Sequence, residues 1–182
     1  MEKMKRIAFL AIVVAIVSCS DDDYQGDVPS TGETLKVLGS GVTEGQDKEV
    51  TVPSLGETIT LNCFSMPITN VESGEVIGTL EDCTITSKEN EDGTFTEYVI
   101  TTFFIEGRGS IVAENIVTLT PTADPGFLNT SFIPTTDNIM DGTGDFENIT
   151  GKVMLEGLID VTRLETENIF VANCTFTIVM NP

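Results

Sequence analysis

The chain has 182 residues, with 9 basic and 29 acidic side chains, no histidine, no tryptophan and a formal net charge of −20. So large a negative charge excludes nucleic acid, whose phosphates are bound by Lys and Arg, and it repels anionic lipid head groups. The lack of histidine excludes Ser–His and Cys–His catalytic pairs and imidazole metal sites, and no cofactor is expected.

The first 18 residues predict a secretory signal peptide. A basic start with Lys3, Lys5 and Arg6 precedes an apolar run over 7–17. That run is shorter than the roughly 20 residues that a helix needs to span a bilayer, which fits a signal peptide better than a membrane helix. The alternatives are an ordinary cleaved signal peptide without lipid and a buried apolar helix.

The end of this segment, Ile16-Val17-Ser18-Cys19, resembles a bacterial lipobox. The resemblance implies cleavage between Ser18 and Cys19 by a lipoprotein signal peptidase, once the Cys19 thiol carries a diacylglycerol thioether. Such a cysteine holds at least two acyl chains, which is what stable anchoring requires. Loss of residues 1–18 leaves a mature chain of net charge −22, held to the membrane through its lipid alone.

An acidic run, Ser20-Asp21-Asp22-Asp23, follows the lipidation site. It resembles the export signal that directs lipoproteins of the Bacteroidota type to the outer face of the outer membrane. We therefore expect a lipid-anchored, surface-exposed protein of the cell outer membrane, with a periplasm-facing lipoprotein as the alternative. Residues 19–36 are rich in Asp, Ser, Thr, Gly and Pro and predict a flexible tether.

The rest of the chain predicts an all-β domain over 57–182, preceded by an edge strand or extension over 37–56. Alternating polar and apolar residues indicate strands, and turns rich in Gly and Asp separate them. The predicted runs are 57–64, 75–86, 95–105, 110–119 and 169–178. The last is the clearest, because every second residue from Phe170 to Ile178 is apolar or Cys. Residues 120–134 hold three prolines and predict a long loop or an irregular edge.

Three cysteines remain for the mature domain: Cys63, Cys83 and Cys174. In an oxidising compartment, an odd number predicts one disulfide and one free thiol, or no disulfide. The sequence does not choose among the three pairs.

A glycine-rich segment suggests a family. Gly142, Gly144 and Gly151 predict places where the backbone turns sharply or another strand comes close, and Phe146 predicts a ring in the core between them. This spacing resembles the G-x-G-x-F-x-x-x-x-G segment of allene-oxide-cyclase-like and dirigent-like barrels, and the similarity extends over about 57–180. The resemblance implies a single antiparallel barrel of about eight strands with a largely apolar cavity open at one end.

The same resemblance gives a catalytic candidate. In the plant cyclases a carboxylate on an early strand and a later cysteine line the pocket, and Cys83 lies near the position of that cysteine. The strand over 58–64, however, carries no acidic residue. A small core residue or a disulfide half is the alternative for Cys83. Asp141 and Asp145 are weak metal candidates, since oxygen ligands suit calcium but turns favour Asp in any case.

These observations predict a non-enzymatic binding or interaction module, with the membrane and a small apolar ligand as its partners. The second hypothesis is an isomerase or cyclase acting on a lipid-derived substrate, which requires Cys83 and a carboxylate to point into the cavity. The third is a filled barrel that serves only protein contacts.

Overall fold

The computed structural model describes residues 32–181. In this range the strands are β1 (Glu33–Glu44), β2 (Gln46–Val52), β3 (Glu57–Asn70), β4 (Val76–Glu89), β5 (Phe95–Ile105), β6 (Gly109–Pro121), β7 (Phe127–Phe132), β8 (Ile139–Gly142), β9 (Thr150–Asp160) and β10 (Ile169–Asn181). A 3₁₀ turn covers Gly144–Phe146, and a single-turn helix, α1, covers Leu164–Glu167. No helix in this range is long and apolar enough to cross a bilayer. The lipobox with Ser18 and Cys19, and the acidic run Ser20–Asp23, lie outside the described residues.

Eight of these strands close an antiparallel barrel, as predicted. Their order around the barrel is β1, β10, β9, β7, β6, β5, β4, β3, and β1 returns to pair with the end of β3 through Val37 and Asn70. The first half of β3 pairs instead with β2, and β8 pairs with β6. Every pairing is antiparallel, so the short turns of a meander suffice to connect most neighbours.

The N-terminal part of the domain is more regular than predicted. Instead of a tether to residue 36 and an edge strand, β1 begins at Glu33 and pairs with β10 along its whole length. Gly39 interrupts the alternation because its position faces the barrel interior. A Cβ there would lie 2.7 Å from Cδ2 of Leu80, so the missing side chain makes room for core packing.

The proline-rich stretch is also more ordered than predicted. Pro121 is the last residue of β6 and lies opposite Leu128 of β7, and a turn over 122–126 joins the two strands. Pro125 lies in that turn, and Pro134 follows β7. Prolines are tolerated at all three places because each lies at a strand end or in a turn.

One end of the barrel is filled, and we call it the sealed end. The turns β3–β4, β5–β6 and β8–β9 lie there, and the packed side chains include Val37, Ile68, Phe103, Ile111, Phe146 and Ile178, all at most 1% exposed. The ring of Phe103 meets that of Phe176 edge to face, with centroids 5.2 Å apart. We call the opposite end, with the turns β4–β5, β6–β7 and β9–β10, the mouth.

The Gly/Phe segment forms the cap of the sealed end. Phe146 inserts into the core from the 3₁₀ turn, and the guanidinium of Arg108 lies 4.7 Å from the centre of its ring. Arg108 also donates to both carboxylate oxygens of Glu33, at 2.7 and 2.8 Å, and to Asp145 at 3.2 Å. Its hydrogen bonds to Glu33 hold the pKa of that carboxyl below its usual value. The first residue of β1 is thus tied to the cap.

Replacing Gly144 by Ala is expected to lower the free energy of unfolding by about 2 kcal/mol. Gly144 has φ +63°, and an added Cβ would overlap the carbonyl oxygen of Arg108. The control is Gly93→Ala, because Gly93 has φ +80° but no atom within 4 Å of an added Cβ. That variant should lose only about 1 kcal/mol, the cost of the left-handed backbone alone. If urea denaturation gave the same loss of unfolding free energy for both variants, the contact between the added Cβ and the carbonyl oxygen of Arg108 would contribute nothing to the cost.

A second apolar cluster lies on the outer side of the sheet. It contains Val52, Leu61, Cys63, Cys83 and Ile100, none more than 8% exposed. Cys63 and Cys83 are directly opposite each other on β3 and β4 and form a disulfide. A hydrogen bond holds the turn after β2 against β6 beside this cluster. The backbone N–H of Ser54 donates to the Glu114 carboxylate at 2.9 Å.

Candidate functional site

The half of the barrel nearer the mouth is hollow and holds a cavity of about 450 Å³. Cavities of roughly 300–1,000 Å³ are typical of small-molecule sites. The wall is mostly apolar, with Phe64, Met66, Leu80, Val99, Val117, Leu119, Leu128, Leu155, Ile159, Phe170 and Phe176. At the mouth, the turn before β10 and α1 contribute Thr162, Leu164, Glu165 and Thr166.

The alternation predicted for β10 accounts for one side of this wall. Phe170, Ala172, Cys174 and Phe176 line the cavity, and Ile178 continues the same face into the filled core. The ring of Phe170 packs edge to face on Phe64, with centroids 4.5 Å apart. The strands β3 and β10, which both flank β1, therefore also contact each other through these two side chains.

Two carboxyl groups are set into this apolar wall, Asp82 on β4 and Glu97 on β5. Burial raises the pKa of Asp82 to about 6; a hydrogen bond from Thr101 opposes this shift, and the charge of Glu97 adds to it. Burial also raises the pKa of Glu97, against a hydrogen bond from Ser87 at 3.0 Å. The surface that Asp82 keeps accessible faces the cavity, which is why its carboxyl is poorly solvated.

A chain of buried hydrogen bonds leads to Asp82. The backbone N–H of Val153 donates to Oδ1 of Asn138 at 2.8 Å, and Nδ2 of Asn138 donates to Oδ1 of Asn115 at 2.6 Å. Nδ2 of Asn115 donates to the hydroxyl of Thr101 at 3.0 Å, and that hydroxyl donates to Oδ1 of Asp82 at 2.5 Å. The three intermediate side chains are at most 7% exposed.

The direction of this chain is fixed at its far end. Because a backbone N–H can only donate, Val153 forces the oxygen of the Asn138 amide toward itself and the Asn138 NH₂ toward Asn115. The same reasoning applies at each following link, so every donor points toward Asp82. Hydrogen bonds aligned in this way polarise one another and favour negative charge at their terminal acceptor.

Cys83, the catalytic candidate, does not line the cavity. Side chains alternate along β4, so Leu80 and Asp82 point inward while Cys83 points to the outer cluster. There its sulfur is bonded to Cys63, so it has no thiolate to act as a nucleophile. The carboxylate that the sequence did not supply on β3 is present on the neighbouring strand, as Asp82.

Cys174 is the cysteine left free in the described part of the chain, and it is buried in the cavity wall. Burial raises the pKa of its thiol to about 12, and the nearby charge of Asp82 adds to the effect. A thiol with such a pKa stays protonated and unreactive at neutral pH. The pairing of Cys63 with Cys83 settles which of the three possible bridges forms.

The weak metal candidates do not converge. Asp141 accepts a hydrogen bond from the N–H of Gly142 beside it, and Asp145 pairs with Arg108. Within the described residues, the one group of three potential ligands with converging atoms is Cys63, Glu81 and Cys83. Its two sulfurs are bonded to each other and are therefore not thiolate ligands.

No family model and no curated protein matches this sequence. Among solved structures, pyocyanin demethylase is similar to it, with a TM-score of 0.44 and 14% sequence identity over 82% of this chain and 100% of that chain. No functional conclusion rests on so distant a likeness. Membership of the allene-oxide-cyclase-like or dirigent-like families stays a prediction, whereas the small antiparallel barrel itself is shown.

Sequence reasoning missed the polar residues of the cavity and its hydrogen-bond chain. The available signal was a polar residue at an otherwise apolar inward position, such as Asn115 between Ala113 and Val117, or Thr101 between Val99 and Phe103. A buried side-chain amide or hydroxyl needs a hydrogen-bond partner, so each of these positions predicts a polar neighbour on an adjacent strand.

Proposed function

We propose that this protein is a lipid-anchored binding module that holds a small, mainly apolar ligand inside its barrel. The observation that carries the proposal is the cavity of about 450 Å³ at the mouth, in a barrel whose other end is packed solid. Barrels of eight strands are just wide enough either to fill completely or to hold one small ligand. In this barrel, side chains fill the interior at the sealed end, and the half nearer the mouth has room for one small ligand.

A binding assay with a blocked cavity tests this function. In Ala172→Phe a phenyl ring enters the cavity, because Ala172 is buried in its wall. The matched control is Asn173→Phe, which adds the same ring on the exposed outer face of β10. Native mass spectrometry against apolar compounds should detect bound ligand in wild type and in Asn173→Phe but not in Ala172→Phe. Equal binding by the two variants would place the ligand elsewhere.

We also propose that Cys19 carries the lipid anchor and that the barrel is displayed on the outer membrane. The disulfide between Cys63 and Cys83 supports an oxidising, extracytoplasmic compartment. Metabolic labelling with a palmitate probe should mark the wild-type protein and a Cys174→Ala control, but not Cys19→Ala. A Cys19→Ala protein that kept its label and stayed with the cell envelope would contradict this part of the proposal.

The isomerase or cyclase that requires Cys83 in the cavity is contradicted, because Cys83 points outward and is bonded to Cys63. A second candidate function that does not need this cysteine is proton transfer by Asp82 alone on a bound lipid-derived substrate. Asp82 favours it, since its carboxyl faces the cavity and its pKa is raised to about 6, closer to neutral pH than that of an ordinary Asp. The test is incubation of the protein with unsaturated ketones in deuterium oxide. Deuterium incorporation by wild type and not by Asp82→Asn would establish it, and no incorporation by either would exclude it for those substrates.

A further inference from the structure

We propose that the cavity selects apolar ligands that carry a protonated amine, and that Oδ2 of Asp82 accepts a hydrogen bond from the amine nitrogen. This inference rests on the ligand-binding function proposed above and specifies the chemical class of the ligand. It follows from the charges of the cavity wall, from the hydrogen bonding of Asp82 and from the field of the whole protein.

The charges that face the cavity are all negative. Asp82 and Glu97 lie in its wall and Glu165 lies at the mouth, whereas none of the lining residues, all within the described range, is Lys or Arg. A carboxylic acid ligand such as a fatty acid would place another negative charge among these groups without a cation to balance it. An ammonium group supplies the missing positive charge.

The hydrogen bonding of Asp82 leaves one oxygen for a ligand. The chain from Val153 ends on Oδ1, and within residues 32–181 no hydrogen bond is made to Oδ2. The aligned donors favour the ionised carboxylate but do not outweigh the cost of its burial, so a negative charge on Asp82 is only partly compensated inside the protein. A buried carboxylate is costly unless it is paired, and a ligand amine would provide the pair.

The remainder of the wall suits the apolar body of such a ligand. Asp82 is flanked along β4 by Leu80, and the cavity between it and the mouth is lined by aromatic and branched aliphatic side chains, among them Phe170 and Leu155. A protein of net charge −20 also attracts cations from solution and raises their rate of encounter. An amine with an alkyl tail matches both the charge and the apolar wall.

Three ligands that share one tail and differ in head-group charge test the inference. We suggest titrating the full chain with n-decylamine, n-decanol and n-decanoate by isothermal titration calorimetry. Decylamine should bind most tightly and decanoate most weakly. In Asp82→Asn, decylamine should bind about ten-fold more weakly or worse, because a hydrogen bond to a charged group is lost, while decanol binds as before. Asn at this position can still accept the Thr101 hydrogen bond, so the fold should persist.

Asp47→Asn is the matched control for general electrostatic attraction. Asp47 is exposed on β2, away from the cavity, so its loss changes the net charge equally but should leave decylamine binding unchanged. The inference is overturned if decanol or decanoate binds wild type as tightly as decylamine, or if Asp82→Asn keeps the preference. If decanol binds but decylamine is not preferred, the ligand-binding function proposed above still stands and only the inference about amines fails. If none of the three compounds binds, both the proposed function and the inference are contradicted.

Discussion

Replacing Asp82 by Asn should flatten the pH dependence of stability by about 2 kcal/mol between pH 4 and pH 7. Burial in the cavity wall raises the pKa of this carboxyl from 3.8 to about 6 on folding. The folded state therefore binds the proton more tightly than the unfolded chain does. The resulting stabilisation is fully present below pH 3.8 and is lost as the pH rises through 6. Asn does not titrate, so the variant lacks this contribution.

Urea denaturation of both proteins across this pH range measures the effect. The many other acidic residues also make stability depend on pH, so the informative quantity is the difference between the two curves. That difference should favour wild type at the acidic end and the variant at neutral pH. The control Asp47→Asn, at an exposed position, should run parallel to wild type. A parallel curve for Asp82→Asn would mean that Asp82 is as well solvated in the folded protein as in the unfolded chain.

Removal of the Cys63–Cys83 disulfide should lower the free energy of unfolding by about 3 kcal/mol. The bridge joins residues 20 apart in sequence, and closing a loop of that length restricts the unfolded chain. Replacing both cysteines by Ala avoids leaving an unpaired thiol in the outer cluster. For a protein of this size the loss corresponds to a fall in Tm of about 10 °C.

Thermal denaturation with and without a reducing agent provides the check. Wild type and Cys174→Ala should both lose stability on reduction, since both proteins contain the Cys63–Cys83 disulfide. The variant that lacks Cys63 and Cys83 should be insensitive to the reductant. If reduction left wild type unchanged, the two cysteines would not be bonded in the protein that was measured.

The sequence predicts the class of fold well because most strands show a clear period of two. The alternation on β10 places its apolar face correctly, toward the cavity and core. The alternation at the start of β3 is as clear but does not say which face is inside. Leu61 and Cys63 pack in the outer cluster, whereas Phe64 and Met66 face the interior. A sheet with apolar residues on both faces cannot be oriented from periodicity alone.

The site was harder to predict because it depends on register between strands. Asp82 and Thr101 face each other across β4 and β5, and a β-bulge between Thr84 and Thr86 shifts the pairing beyond them. Neither the pairing nor the bulge is encoded in a local pattern. The carboxylate that the family resemblance implies on an early strand therefore lies on β4, and no local pattern in the sequence shows that Cys63 lies opposite Cys83.

The bond between Glu33 and Arg108 has a consequence for how a ligand would arrive. The described chain enters the barrel at Glu33, on the cap, so the anchor proposed for Cys19 would be joined to the barrel at the pole opposite the mouth. The mouth would then be the end of the barrel that lies farther from the anchor. With the proposed anchor at the opposite pole, the mouth would stay free to take up a ligand from the aqueous phase.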